Sequence, residues 1–142
     1  MHNPRSASII RELKVTGRQG MQALQEVLRA LGDLRITKAR DEYDLQQAVQ
    51  SCLCRHALAH TREARLGPRA RIDFLCANGV GIEIKQRRPN ARQLREQVAR
   101  YAAFDTVSAL VVVAGRGVRL PARVADKPCA VVCLDRLWGV AL

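Results

Sequence analysis

The sequence predicts an α/β fold, a mixed β-sheet with helices on both sides, and three patterns carry that expectation. Apolar residues recur at helical spacing in two early stretches, as Met21, Leu24, Leu28 and Leu31, and then as Leu45, Val49 and Cys52. Residues 69–85, RARIDFLCANGVGIEIK, alternate like a strand, break at Asn78-Gly79 and alternate again, the pattern of a β-hairpin. Residues 108–114, SALVVVA, are apolar without interruption, which suits a strand covered on both faces.

Taken in order, residues 1–16 carry Arg5, Arg11 and Lys14 around a few aliphatic residues and read as a basic arm or a short leading helix. The first periodic stretch predicts a helix over 18–31, closed by Gly32-Asp33. A second helix is expected over about 39–60, with Leu45, Val49, Cys52 and His56 as its inward stripe. Glu42 continues that stripe one turn earlier. It is either a carboxylate at the head of a core-facing row or an acid placed in the first turn to suit the helix dipole.

The polar residues 60–68 end in Gly67-Pro68 and leave room for a short edge strand. In the hairpin that follows, alternation places Ile72 and Phe74 on one face and Asp73 on the other. It places Ile82 and Ile84 opposite Glu83 and Lys85. Asn90, after Pro89, is an N-cap for a third helix reaching about Phe104, with Gln93 three residues on as in a capping box. The buried strand stops at Gly115-Arg116-Gly117. A polar connection leads to a last strand over 129–134, CAVVCL, and to a tail holding the lone Trp138. The expected organisation is an N-terminal arm and helix over 1–37 and one α/β domain over 38–142.

At 142 residues the chain is long enough for one domain with its own core. It has no apolar run of membrane-spanning length and no N-terminal apolar segment with a cleavage site, so the expectation is a cytoplasmic protein with no membrane partner. Lys and Arg number 24 against 13 acids, for a net charge of +11, and all but four of the 24 are Arg. Such an excess suits a polyanion, because guanidinium groups grip phosphate bidentately and binding releases counterions; it also fits a composition merely rich in Arg and Ala. Arg87, Arg88, Arg92 and Arg95 crowd the start of the third helix, whose N-terminus is itself a favourable phosphate site, and make a candidate DNA-backbone contact. The five cysteines do not follow zinc-finger or zinc-ribbon spacing and read as buried thiols.

Two carboxylates and a lysine inside an otherwise apolar hairpin are costly to place there for structure alone. Asp73 and Glu83 supply the hard oxygens that Mg²⁺ or Mn²⁺ prefers, and Lys85, two residues beyond Glu83, emerges on the same face beside them. Asp73, nine intervening residues and then Glu83-Ile84-Lys85 resemble the signature of the PD-(D/E)XK nuclease superfamily, which has the restriction-endonuclease-like fold. Gln97-Val98-Ala99-Arg100-Tyr101 is similar to the Gln-x-x-x-Tyr element of its RecB-like and lambda-exonuclease-like branch. The expected order, helix, three-stranded meander, helix, strand, matches that fold behind an N-terminal helical extension. One departure is Ile72, where the family name has Pro.

The resemblance implies a Mg²⁺- or Mn²⁺-dependent DNA nuclease. Asp73, Glu83 and the backbone carbonyl of Ile84 would hold the metal with Glu42 assisting, Lys85 would act on water and phosphate, and Gln97 and Tyr101 would position the site. The alternatives are a non-catalytic nucleic-acid-binding module of the same fold in a DNA-processing assembly, and a homodimeric junction- or end-processing endonuclease.

Overall fold

The computed structural model describes residues 4–34, 41–87, 89–115 and 117–134, with side chains from residue 18 onward. Arg88, Trp138 and the side chains of Arg5, Arg11 and Lys14 lie outside the described residues. The elements run α1 (Pro4–Leu31), α2 (Glu42–Arg55), β1 (His60–Gly67), β2 (Ala70–Cys76), β3 (Val80–Lys85), α3 (Ala91–Ala102), β4 (Ala109–Ala114), β5 (Arg123–Val124) and β6 (Lys127–Cys133). The strands form a mixed six-stranded sheet in the order β1-β2-β3-β4-β6-β5. The first three strands are an antiparallel meander, β4 lies parallel to both β3 and β6, and β5 closes antiparallel on β6.

Helices cover both faces, as the buried run on β4 requires. All six residues of β4 are buried, and they alternate between two cores. Ala109, Val111 and Val113 meet α1 and α2 through residues such as Val27, Leu31, Leu45 and Val49. Leu110, Val112 and Ala114 meet α3 through Leu94, Val98 and Tyr101. The inward face of α1 therefore belongs to the same core as the sheet.

Several elements depart from the sequence expectation. Helix α2 stops at Arg55 rather than near residue 60, because Ala57 adopts a left-handed conformation (φ 56°). There the Leu58 amide donates to Leu53 O and the Ala57 amide to Cys54 O, a Schellman closure built on alanine instead of glycine. His56 is not on the buried stripe; it is exposed and its Nε2 lies 2.7 Å from Asp33 Oδ2. Of the residues freed from the helix only His60 enters the edge strand β1, and the polar connection before β6 contains the short strand β5.

Alternation also misplaces Ile72. Phe74 packs in the α1–α2 core while Ile72 packs in the α3 core, two residues apart on one strand. The neighbouring strand explains the switch. Arg62 pairs with Phe74 and Ala64 with Ile72, and between them Glu63 is left-handed (φ 52°). The β1–β2 ribbon turns over at that point, and Asp73 sits at the turn.

Candidate active site

The β2–β3 ladder pairs Leu75 with Gly81 and Phe74 with Ile82, and no further pair is formed. Continued, the register would set Asp73 opposite Glu83. Instead, their side chains take over the ladder's hydrogen bonding. The Ile84 amide donates to Asp73 Oδ2 (2.8 Å), and the Asp73 amide lies 3.3 Å from Glu83 Oε1. Both carboxylates are thus held by the backbone of the opposite strand, which fixes them against each other more firmly than rotamer preference alone.

Glu83 is 5 % exposed and is the one buried charged residue described. Burial pushes its pKa up to about 8, reinforced by the charge of Asp73 and the hydrogen bond between them; Lys85 and Tyr101 oppose that rise. Lys85 Nζ stands 3.8 Å from Glu83 Oε2, on the same face as the sequence spacing required.

Helix α3 brings the third contribution. Asn90 caps it, accepting from the Arg92 and Gln93 amides, which orients the helix so that Gln97 and Tyr101 stack one turn apart toward the sheet. Gln97 Nε2 donates to the Tyr101 hydroxyl (3.0 Å), which in turn lies 2.7 Å from Arg71 O and 3.0 Å from Glu83 Oε2. A hydroxyl has one hydrogen, and the Arg71 carbonyl can only accept. The single Tyr101 proton is therefore shared between the Arg71 carbonyl and Glu83 Oε2, both within hydrogen-bond distance. Tyr101 is both a core residue (4 % exposed) and a site residue; its own ionisation is pushed up by burial and by Glu83.

Beside these groups a cleft of about 400 Å³ opens between the end of β3 and α3, lined by Lys85, Asn90, Gln93, Glu96, Gln97 and Arg100. Arg87 and Arg95 are exposed, and Arg92 is exposed but engaged with Glu96 one turn on (3.2 Å).

The structure thus brings together Asp73, Glu83, Lys85, Gln97 and Tyr101, with the Ile84 amide between the acids. Glu42 is not brought in: it is exposed in the first turn of α2, the second of the two places the sequence allowed it. The α2 residue that reaches Asp73 is Gln46, one turn later, whose Nε2 lies 3.4 Å from Asp73 Oδ1. Sequence reasoning missed Gln46 and its partner Arg62. The available signal was the run Gln46-Gln47 and Gln50 on one helix, a polar row too far inside the element to be a cap.

Two adjacent carboxylates that cannot both be charged without cost are a donor set suited to a hard divalent cation. Asp73 and Glu83 fit that role. Among the described residues no cluster of three or more His, Cys, Asp and Glu side chains joins them. Of the five cysteines, Cys52, Cys76 and Cys129 are buried, and burial lifts the Cys76 thiol to about 12 and that of Cys129 to about 11. Cys133 is half-buried and Cys54 exposed. Comparisons with protein-family models, with curated proteins and with solved structures give no significant match.

No helix among the described residues is long and apolar enough to cross a membrane.

Proposed function

We propose that this protein is a divalent-metal-dependent DNA nuclease of the PD-(D/E)XK type. The observation that carries the reading is the fork between β2 and β3. Asp73 and Glu83 face each other there across a broken ladder, with Lys85 beside them and the Gln97–Tyr101 pair behind. A salt-bridged hairpin on a solvated face would not bury Glu83 nor tie it to a helix from the α3 side.

In this reading Asp73 and Glu83 would hold Mg²⁺ or Mn²⁺, which would supply positive charge to offset the paired carboxylates and the phosphate. The chain's own groups do the rest. Glu83 would hold a cation only as the carboxylate. Tyr101, aligned by Gln97, keeps that carboxylate in place. Lys85, at the wall of the cleft, binds a non-bridging phosphate oxygen, orients the attacking water and balances the charge that grows on phosphorus-bound oxygens. Arg87, Arg95 and the N-terminal end of α3 hold the adjoining DNA backbone without reading its sequence.

The test compares wild type, Lys85→Ala and Asp73→Asn on linear, circular and branched DNA with Mg²⁺. Wild type is expected to cleave, and each substitution to lower the rate by about 10²-fold or more while the thermal unfolding transition stays cooperative. A wild-type chain that binds DNA yet cleaves none of these substrates would instead support the binding-module reading.

A further inference from the structure

The two carboxylates of the fork are held from opposite sides of the sheet, and the two arrangements are alike in kind. Glu83 is met by Tyr101, which Gln97 aligns from α3. Asp73 is met by Gln46, and Gln46 is aligned by Arg62. The Arg62 guanidinium donates to three side-chain oxygens on one face of α2: Gln50 Oε1 at 2.9 Å, Gln46 Oε1 at 3.2 Å and Gln47 Oε1 at 3.4 Å. It lies 5.6 Å from the centre of the Phe74 ring, the residue next to Asp73.

That geometry decides which way the Gln46 amide faces. A guanidinium has only donors, so the Gln46 oxygen must turn toward Arg62, and its NH₂ is left facing Asp73 Oδ1. With Ile84 N on Oδ2 at 2.8 Å, both oxygens of Asp73 are then constrained, one by β3 and one by α2. A carboxylate pinned in this way loses less freedom on meeting a cation, and affinity rises accordingly.

We infer that Gln46, locked by Arg62, is a positioning residue that sets the Asp73 carboxylate for cation binding. The inference rests on the nuclease reading of the fork, and it assigns the α2 contribution to an amide that touches the ligand rather than to Glu42. Gln46 acts through Asp73 and has no contact with the reacting atoms.

The experiment is calorimetric titration of the full chain with Mn²⁺, for wild type, Gln46→Met, Arg62→Lys and the double variant, alongside cleavage kinetics. Gln46→Met keeps the length of a half-buried side chain and Arg62→Lys keeps the charge, so folding is expected to survive; thermal melts check it. Each single change is expected to weaken Mn²⁺ binding about 10-fold and to lower kcat with KM for DNA unchanged. Because the two residues act as one relay, the double variant is expected to be no weaker than either single one, whereas two independent packing defects would add. A wild-type chain that takes up no Mn²⁺ overturns the nuclease reading and this inference together. A wild type that binds Mn²⁺ no more tightly than Gln46→Met, or fully additive losses, overturns the inference alone.

Discussion

Burial first, and the Asp73 carboxylate second, push the Glu83 pKa up to about 8. In the unfolded chain Glu83 is an ordinary carboxyl, from which the folded value departs upward from 4.5. Between those limits the folded state holds a proton that the unfolded state lacks, so the stability it contributes falls as pH rises through that window. Glu83→Gln keeps a neutral group in place and removes the loss. Its urea midpoint is expected to change less with pH than that of wild type, and at about pH 8 it should be the more stable of the two by on the order of a few kcal/mol. Equal pH profiles would mean that Glu83 is charged in the folded protein. Tyr101→Phe leaves Gln97 and the Arg71 carbonyl without their shared hydroxyl, and is expected to cost about 1–2 kcal/mol in the same assay.

At the scale of elements, two turns decide where the site is aimed. Ala57 ends α2 in the left-handed region, which suits glycine better, and it is exposed. Ala57→Gly relieves that strain with no packing lost, and is expected to raise stability by up to about 1 kcal/mol in chemical denaturation. Gly79 closes the β2–β3 hairpin at φ 93°, and a Cβ there would lie 2.3 Å from Ser108 Oγ. Gly79→Ala therefore meets both backbone strain and a collision with the start of β4. It is expected to destabilise by more than about 1 kcal/mol, and a neutral result would show that the hairpin can relax away from Ser108. The Gly79 turn joins the two strands that carry the acids, so its conformation is coupled to the fork.

For the whole molecule, the proposed function makes the charge of +11 the quantity that would set how DNA binding responds to salt. Affinity is expected to fall steeply and linearly on a log–log plot, because each neutralised phosphate releases counterions. Arg87→Ala and Arg95→Ala should each flatten that slope by about 1, measured by fluorescence anisotropy with a labelled duplex. Arg92→Ala should change it less, since Arg92 already spends part of its charge on Glu96. Slopes unmoved by Arg87→Ala and Arg95→Ala would place the DNA path on another face.

The hairpin, the capped third helix, the strand buried on both faces and the α/β class were all legible in the sequence. Each rests on local chemistry: Asn-Gly for the turn, Asn90 for the cap, period-two and period-3.6 patterns for the faces. The same spacing put Glu83 and Lys85 side by side, and Gln97 over Tyr101. What tertiary structure decided depends on where one element meets another. The left-handed Ala57 and Glu63 carry no glycine signal, so neither the early stop of α2 nor the turnover that parts Ile72 from Phe74 could be read along the chain. The α2 side chain that lies over Asp73 is Gln46 rather than Glu42. The sequence by itself determined which chemical groups the fork carries; the crossing of α2, β1 and β2 determined which neighbours hold them, because a long-range contact has no period to read.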